Sequence, residues 1–425
     1  MRIKVSTDNL VNTIFFFGGM WCVFFSGSSV LRPYYVILWP VFVIAFSIIL
    51  FPKIIDTIKT PRISNQIILY FVYFLCCLVS IFISYNMQAS ISFTERLLLA
   101  ILFSIGVSND KKNYSTQQKI IGLFLFFLLI VSYIELFFPS VYRSYFLPLL
   151  NGQEGYYLRS GTFGMCIQGF TIGISKNGLW MTIGFALYLS KVVVGKKNVK
   201  IYGLLLLYFI MIFCTGKRSY SLISIFLMIW GISLSHANDK FKKKIMIIPI
   251  VVIGLVLGGL FLSRYIPSLN AFIVRSREMT SDGDISNGRF SLYEYAINNI
   301  AINPLGIGID VTNIHNSYLQ MVLELGWFGG LLSIIVFFVP IVYVMPYLKR
   351  ILNLDFLSDI EKEYFLFSVF LNVIVFLSAF VATPFQWHDV IMLLIMCQIN
   401  MLEIYNRFFN TSVGNKKIRS MNLFV

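Results

Sequence analysis

The chain of 425 residues has three histidines. One of them, His315, stands where a polar stretch gives way to an apolar one, in His315-Asn316-Ser317-Tyr318-Leu319-Gln320. Imidazole is neutral near physiological pH and can take a proton from a sugar hydroxyl. His236 lies beside a basic run and His388 near the end of an apolar segment, and neither has comparable polar company. Upstream, Arg289 opens an aromatic run, and Lys217 and Arg218 sit in Thr215-Gly216-Lys217-Arg218-Ser219 between two apolar segments. A guanidinium grips phosphate with two parallel hydrogen bonds. The chemistry these residues suit is deprotonation of a hydroxyl beside a phosphate held by cations. The plainer readings are a capping or interfacial histidine, an interfacial Arg289, and a tight basic turn at Lys217-Arg218.

The residues around them set their placement. Phe290, Tyr293, Ile297 and Ile300 follow Arg289 at helical spacing, with Asn287 as a cap and Asn303-Pro304 as the stop. That spacing predicts one apolar face lying on a membrane surface, with Arg289 at headgroup level. Pro304-Leu305-Gly306-Ile307-Gly308 predicts a close backbone turn, because its glycines reach dihedrals other residues avoid. It matches neither the P-loop nor the dinucleotide pattern. Asp282-Gly283-Asp284 resembles an Asp-x-Asp metal motif, but a calcium loop wants glycine at its sixth position, which is Asn287 here. Glu324 is an acid at the edge of an apolar run, able to orient a cation or to cap structure. The six cysteines are scattered in apolar runs without metal-ligand spacing, so they read as small core residues and no metal or cofactor is expected.

Composition decides which elements carry these residues. Hydrophobic residues make up 58% and charged residues 12%, and the mean hydropathy is +0.80. A soluble domain carries about 25% charged residues, so the bilayer is the solvent. We read an all-α integral membrane protein of about twelve spans, near 10–31, 34–51, 66–85, 93–109, 119–139, 178–195, 199–216, 219–236, 245–263, 325–347, 364–383 and 388–406. The net charge of +15 marks topology rather than nucleic acid, because the basic residues flank the spans. Most fall in loops of one side, such as Lys240 to Lys244, which puts both termini in the cytoplasm. Two long loops, 140–177 and 264–314, then lie outside. They carry Arg143, Arg159, Arg264, Arg275, Arg277 and Arg289, which topology does not explain. Anchoring to lipid phosphates is one cause; recognition of a phosphorylated ligand, with Arg159, Arg275 and Arg277 as binding residues, is the other.

Taken in order, Gly216-Lys217-Arg218-Ser219, Arg289, Pro304-Leu305-Gly306-Ile307-Gly308, His315-Asn316-Ser317-Tyr318-Leu319-Gln320 and Glu324-Leu325-Gly326 resemble the O-antigen ligase/polymerase superfamily over roughly residues 200–347. Where that family often carries tryptophan a turn after the loop arginine, this chain has Tyr293. The resemblance implies a GT-C-like, all-helical membrane glycosyltransferase of the bacterial inner membrane with a periplasmic active site. Its donor and acceptor would be undecaprenyl-diphosphate-linked glycans, its surroundings membrane lipid, and a chain-length regulator is a further partner left open. In that picture Arg218 and Arg289 hold the diphosphate and His315 is the base. Lys217, Tyr293, Asn316, Tyr318 and Glu324 complete the substrate-binding set. A repeat-unit polymerase is the leading reading and a ligase onto lipid A core the second. A lipid-linked-oligosaccharide flippase is the third, disfavoured because the spans read as nearly free of the ionisable groups a coupled transporter uses.

Overall fold

The computed structural model describes residues 61–107, 114–150, 166–234, 289–309 and 313–421, apart from Ile172 and Lys197, together with Ile55 and scattered positions between 264 and 274. All regular structure among them is helical. The main helices are α1 (Pro61–Ile83), α2 (Met87–Val107), α3 (Tyr114–Phe137), α4 (Gly173–Val194), α5 (Val199–Cys214), α6 (Arg218–Leu234), α7 (Arg289–Ile302), α8 (Ser317–Val344), α9 (Asp359–Ser378) and α10 (His388–Met421). In hydrocarbon every backbone polar group must be satisfied within its own segment, which long apolar runs achieve as helices. Six of the described helices are long and apolar enough to cross a membrane. Of the segments read as spans, those near 10–31, 34–51 and 245–263 lie outside the described residues; each of the others contains a helix.

Helices α4, α9 and α10 form the centre, with α2 against α10 and α4 against α9, α5 and α6. Around them, α1 and α8 pair and turn apolar side chains outward, among them Phe82 at 83% and Phe328 at 80% exposure. Such exposure is what a lipid-facing surface requires. The centre is stitched by buried amides. Gln398 Nε2 donates to Phe337 O and Asn372 Oδ1, and Asn400 Nδ2 donates to Gln117 Oε1 and to the Tyr364 hydroxyl. Hydrogen bonds of this kind hold helices together where the hydrophobic effect cannot. Polar residues are therefore not confined to the loops. Amides lie along the spans, and so do buried ionisable groups, Glu135, Lys176, Glu324, Asp389 and Glu403 among them, so the spans are richer in such groups than the sequence reading held.

The two ends of the bundle differ. At one, Lys196 pairs with Glu363 at 2.7 Å and Arg407 with Glu361 at 2.6 Å, beside Lys191, Lys349 and Arg350. At the other, Ser317 N donates to Ala379 O and Ala382 O, Ile167 N to Cys214 O, and Tyr85 N to Ile307 O. These bonds gather the end of α1 and the starts of α2, α4, α6, α8 and α10 on one side. It is the side that carries His315, Arg218 and Arg289.

Candidate active site

The site is built around a gap in a helix. Residue 326 of α8 leaves the helical path, with Gly326 at φ 73° and ψ 178°. The turn after α7 fills that gap with its own backbone. Ile307 N donates to Leu323 O at 3.0 Å, Gly308 N to Glu324 O at 3.1 Å, and Trp327 N to Pro304 O at 3.0 Å. On its far side the same strip meets the α1–α2 turn, through Tyr85 N to Ile307 O at 3.1 Å and Ile309 N to Ser90 Oγ at 3.0 Å. So close an approach of two backbones excludes side chains. A Cβ on Gly306, whose φ is +94°, would lie 2.6 Å from Gly326 N, and one on Gly326 would lie 2.7 Å from Leu305 Cα.

Gly306→Ala and Gly326→Ala are therefore each expected to lower folded yield and melting temperature sharply. The left-handed conformation alone costs roughly 1–2 kcal/mol for a residue with a Cβ, and forced overpacking typically adds about 1–3 kcal/mol. Gly203→Ala is the control: this glycine lies in α5 with open space around a Cβ, so the change is expected to be neutral or mildly stabilising.

Helix α7 lies over this strip. Its buried face is Ala296 and Ile300 with partly buried Tyr293, packed on Ile307, Ile314, Leu319, Val322, Leu323 and Ile334. The sequence had grouped Phe290 and Ile297 on that face. They point away instead, at 71% and 59% exposure, with Ile302 at 76%. The reason is that α7 needs two apolar faces, one for α8 and one for the surroundings, and helical spacing alone merges them. Asn287, read as the cap, lies outside the described residues.

Beyond α7 the chain returns to α8 through His315. Its φ is +57°, the one positive value for a non-glycine among the described residues. Bonds on both sides hold it there. Ile314 N donates to Gln320 Oε1 at 2.7 Å, His315 N to Asn313 Oδ1 at 2.9 Å, and Ser317 N to Ala379 O at 2.7 Å. A left-handed non-glycine residue costs on the order of 1–3 kcal/mol and persists only where its surroundings fix it. Ile314 is fully buried while His315 is exposed. The protein packed around the imidazole lowers its pKa, and the positive charges of Arg289 and then Lys217 lower it further. The neutral, proton-accepting form thus dominates at neutral pH.

Three of the residues singled out from the sequence, His315, Arg289 and Lys217, therefore share one electrostatic neighbourhood. Arg218 follows Lys217 as the first residue of α6, just after the left-handed turn at Gly216. Arg289 is the first residue of α7. Lys217, Arg218 and Arg289 are all half-buried. A cation on the positive end of a helix is unfavourable by itself, at about 0.3–1 kcal/mol. Two such ends with their arginines suit an anion, which both charge and backbone amides attract.

The other candidates are placed differently. Asn316 caps α8, its Oδ1 accepting from Tyr318 N and Leu319 N, both at 3.1 Å. Tyr318 turns inward: its hydroxyl donates to Phe376 O at 2.8 Å and its ring packs on Phe338, Phe380 and Phe385. Glu324 is 4% exposed, and its Oε1 accepts from Gln320 Nε2 and Gln386 Nε2, both at 2.6 Å. Arg159, Arg275, Arg277 and His236, with Asp282 and Asp284, lie outside the described residues. The described cysteines are free, and all but half-buried Cys76 are buried. His388 is buried against Phe93, with centroids 4.7 Å apart, at the start of α10, where Lys176 pairs with Asp389 at 2.8 Å. Its surroundings are thus more polar than its sequence neighbours suggested. Sequence reading missed Gln320 and Gln386. The spacing of Gln320 and Glu324, one helical turn apart, was a usable signal; nothing local marked Gln386.

The family model of the O-antigen ligases matches residues 203–334. That interval begins in α5 and ends in α8, and it contains Lys217, Arg218, Arg289, His315 and Glu324. The match supports the resemblance to the O-antigen ligase/polymerase superfamily. No curated protein matches the chain.

Proposed function

We propose that this chain, whose residues 203–334 match the O-antigen ligase family, is a glycosyltransferase of the GT-C-like, roughly twelve-span type that polymerises lipid-linked repeat units. The growing glycan leaves undecaprenyl diphosphate and joins a hydroxyl of the next lipid-linked unit. The sugar–diphosphate C–O bond breaks, a new C–O bond to the acceptor oxygen forms, and the acceptor proton passes to His315. The departing lipid diphosphate gathers negative charge, which Arg218, Arg289 and Lys217 neutralise. The observation that carries this reading is the family match over residues 203–334, which contains Lys217, Arg218, Arg289 and His315; the charges of Arg289 and Lys217 also act on His315. A base poised in its neutral form beside phosphate-binding cations suits hydroxyl attack on a diphosphate-activated sugar. The Lys196, Lys349, Arg350 and Arg407 end is assigned to the cytoplasm by its basic residues. The reaction then takes place at the outer face of the inner membrane, with the 140–177 and 264–314 loops in the periplasm.

The description of the matching family, O-antigen ligase, gives a second reading, in which the finished glycan is moved onto lipid A core. Surface glycan from a deletion strain separates the two. Loss of a polymerase leaves core bearing a single repeat. Loss of a ligase leaves bare core and an accumulating lipid-linked polymer, and that outcome would replace the first reading with the second.

A further inference from the structure

We propose that Glu324 is a positioning residue for His315, acting through Gln320 and Gln386; the claim rests on the reading of His315 as the base. A carboxyl oxygen that carries no proton only accepts hydrogen bonds, and Glu324 Oε1 accepts two. With Glu324 Oε1 fixed beside it, the Gln320 amide must turn its Nε2 toward that oxygen, at 2.6 Å. Its Oε1 then faces the opposite way and takes Ile314 N at 2.7 Å. The residue that follows is His315 in its left-handed conformation. Glu324 thereby decides which end of Gln320 meets the loop. A reversed amide would set N–H against N–H and release the strained residue.

The same residue holds the other limb of the loop, since its backbone carbonyl accepts Gly308 N at 3.1 Å. Its carboxylate is fixed from two sides. Gln320 comes from the same helix, and Gln386 from the turn between α9 and α10. That turn is anchored in its own right. Three residues on, Asp389 pairs with Lys176 at 2.8 Å, and Lys176 Nζ sits 6.0 Å from the centre of the Trp387 ring. A buried polar path thus runs from the first turn of α4, through the start of α10 and the broken helix α8, to the backbone beside His315. Burying a carboxylate is costly unless hydrogen bonds satisfy it. One that spends them orienting amides beside a reactive loop serves preorganisation.

The test combines kinetics with histidine resonances of the full-length protein in lipid nanodiscs. Three histidines give three labelled imidazole signals, and His315→Gln assigns one of them. Glu324→Ala is expected to lower kcat roughly 10- to 100-fold, the scale of a small misplacement of a reacting group, with KM for the lipid-diphosphate donor little changed. The His315 resonance is expected to broaden or move toward that of a free histidine. Glu324→Gln still offers an oxygen to both amides, so it is expected to keep most of the turnover and the wild-type resonance. If Glu324→Gln is as inactive as Glu324→Ala while the His315 signal stays put, the carboxylate itself reacts or binds, and the positioning claim is overturned. Lowered protein levels with normal turnover per molecule would overturn it as well. Should Glu324→Ala not accumulate, Gln386→Ala carries the same test: a shifted His315 signal supports the claim and an unmoved one overturns it. If the wild-type protein transfers no glycan, the proposed function fails, and the resonance arm still decides the positioning claim.

Discussion

His315→Ala is expected to lower glycan transfer by roughly 100- to 10,000-fold, the usual contribution of a general base, and to leave no polymer ladder in cells at normal protein levels. The expectation follows from where the residue is held. Its backbone is fixed in the left-handed conformation by bonds through Ile314, Asn313 and Ser317, and its imidazole lies in the field of Arg289 and Lys217. His315→Gln keeps a hydrogen-bonding side chain but cannot take a proton near neutral pH, so it is expected to fail nearly as badly. The pH dependence has a definite sign. Burial and two positive charges lower the imidazole pKa, so the active, neutral form persists to more acid pH than for a free histidine. Activity of the wild-type protein is therefore expected to be flat around neutrality and to fall as pH drops through a value below the usual histidine figure of about 6.5. An acid limb above that value would place the titrating group elsewhere. A purely structural His315 predicts less protein with normal turnover per molecule.

Arg289→Ala and Arg218→Ala are each expected to cost about 100- to 1,000-fold in kcat, the range found when a preorganised group that stabilises developing charge is removed. Both residues sit at the first position of a helix, where the chain restrains their backbone more than a long loop would. Lysine at either site restores the charge but not the two-pronged hydrogen bond, so recovery is expected to be partial. Lys217→Ala is the informative comparison, because the Lys217 charge acts on His315. Removing it is expected to raise the His315 pKa and move the acid limb of the rate profile upward, in addition to weakening phosphate binding. Full activity of Arg289→Ala would remove it from the phosphate site.

The helices were legible because lipid imposes one demand, a long apolar run, that any window along the chain can detect. That the charges of Lys217 and Arg289 act on His315 was legible in outline, since each of the three flanks an apolar segment. What could not be read depends on contacts between residues far apart in sequence. Gly326 looks like one more glycine in a span, yet it opens α8 so that Pro304 to Gly308 can pair with it. Gln386 and Glu324 carry no shared local pattern, and only the fold joins them. The Lys176–Asp389 pair is likewise hidden, one partner opening α4 and the other α10. Tyr318 and Asn316, which the resemblance placed in the substrate-binding set, also have structural roles that the sequence did not show: one packs against aromatic rings and the other caps a helix. The face of α7 was misgrouped because Phe290 and Ile297 are as apolar as Ala296 and Ile300 while pointing the other way.

One site, made of His315, Arg289 and the Lys217-Arg218 pair, is proposed to move a glycan off a lipid diphosphate. Single-turnover transfer with purified protein in nanodiscs tests this most directly. The reagents are a synthetic polyprenyl-diphosphate-linked oligosaccharide as donor, a second such molecule as acceptor, and a chelator throughout. The wild-type protein is expected to release one lipid diphosphate for each glycosidic bond formed. His315→Gln and Arg289→Ala, at matched folded protein, are expected to slow both products together by at least about 100-fold. Release of lipid diphosphate by His315→Gln or Arg289→Ala at the wild-type rate would contradict this assignment.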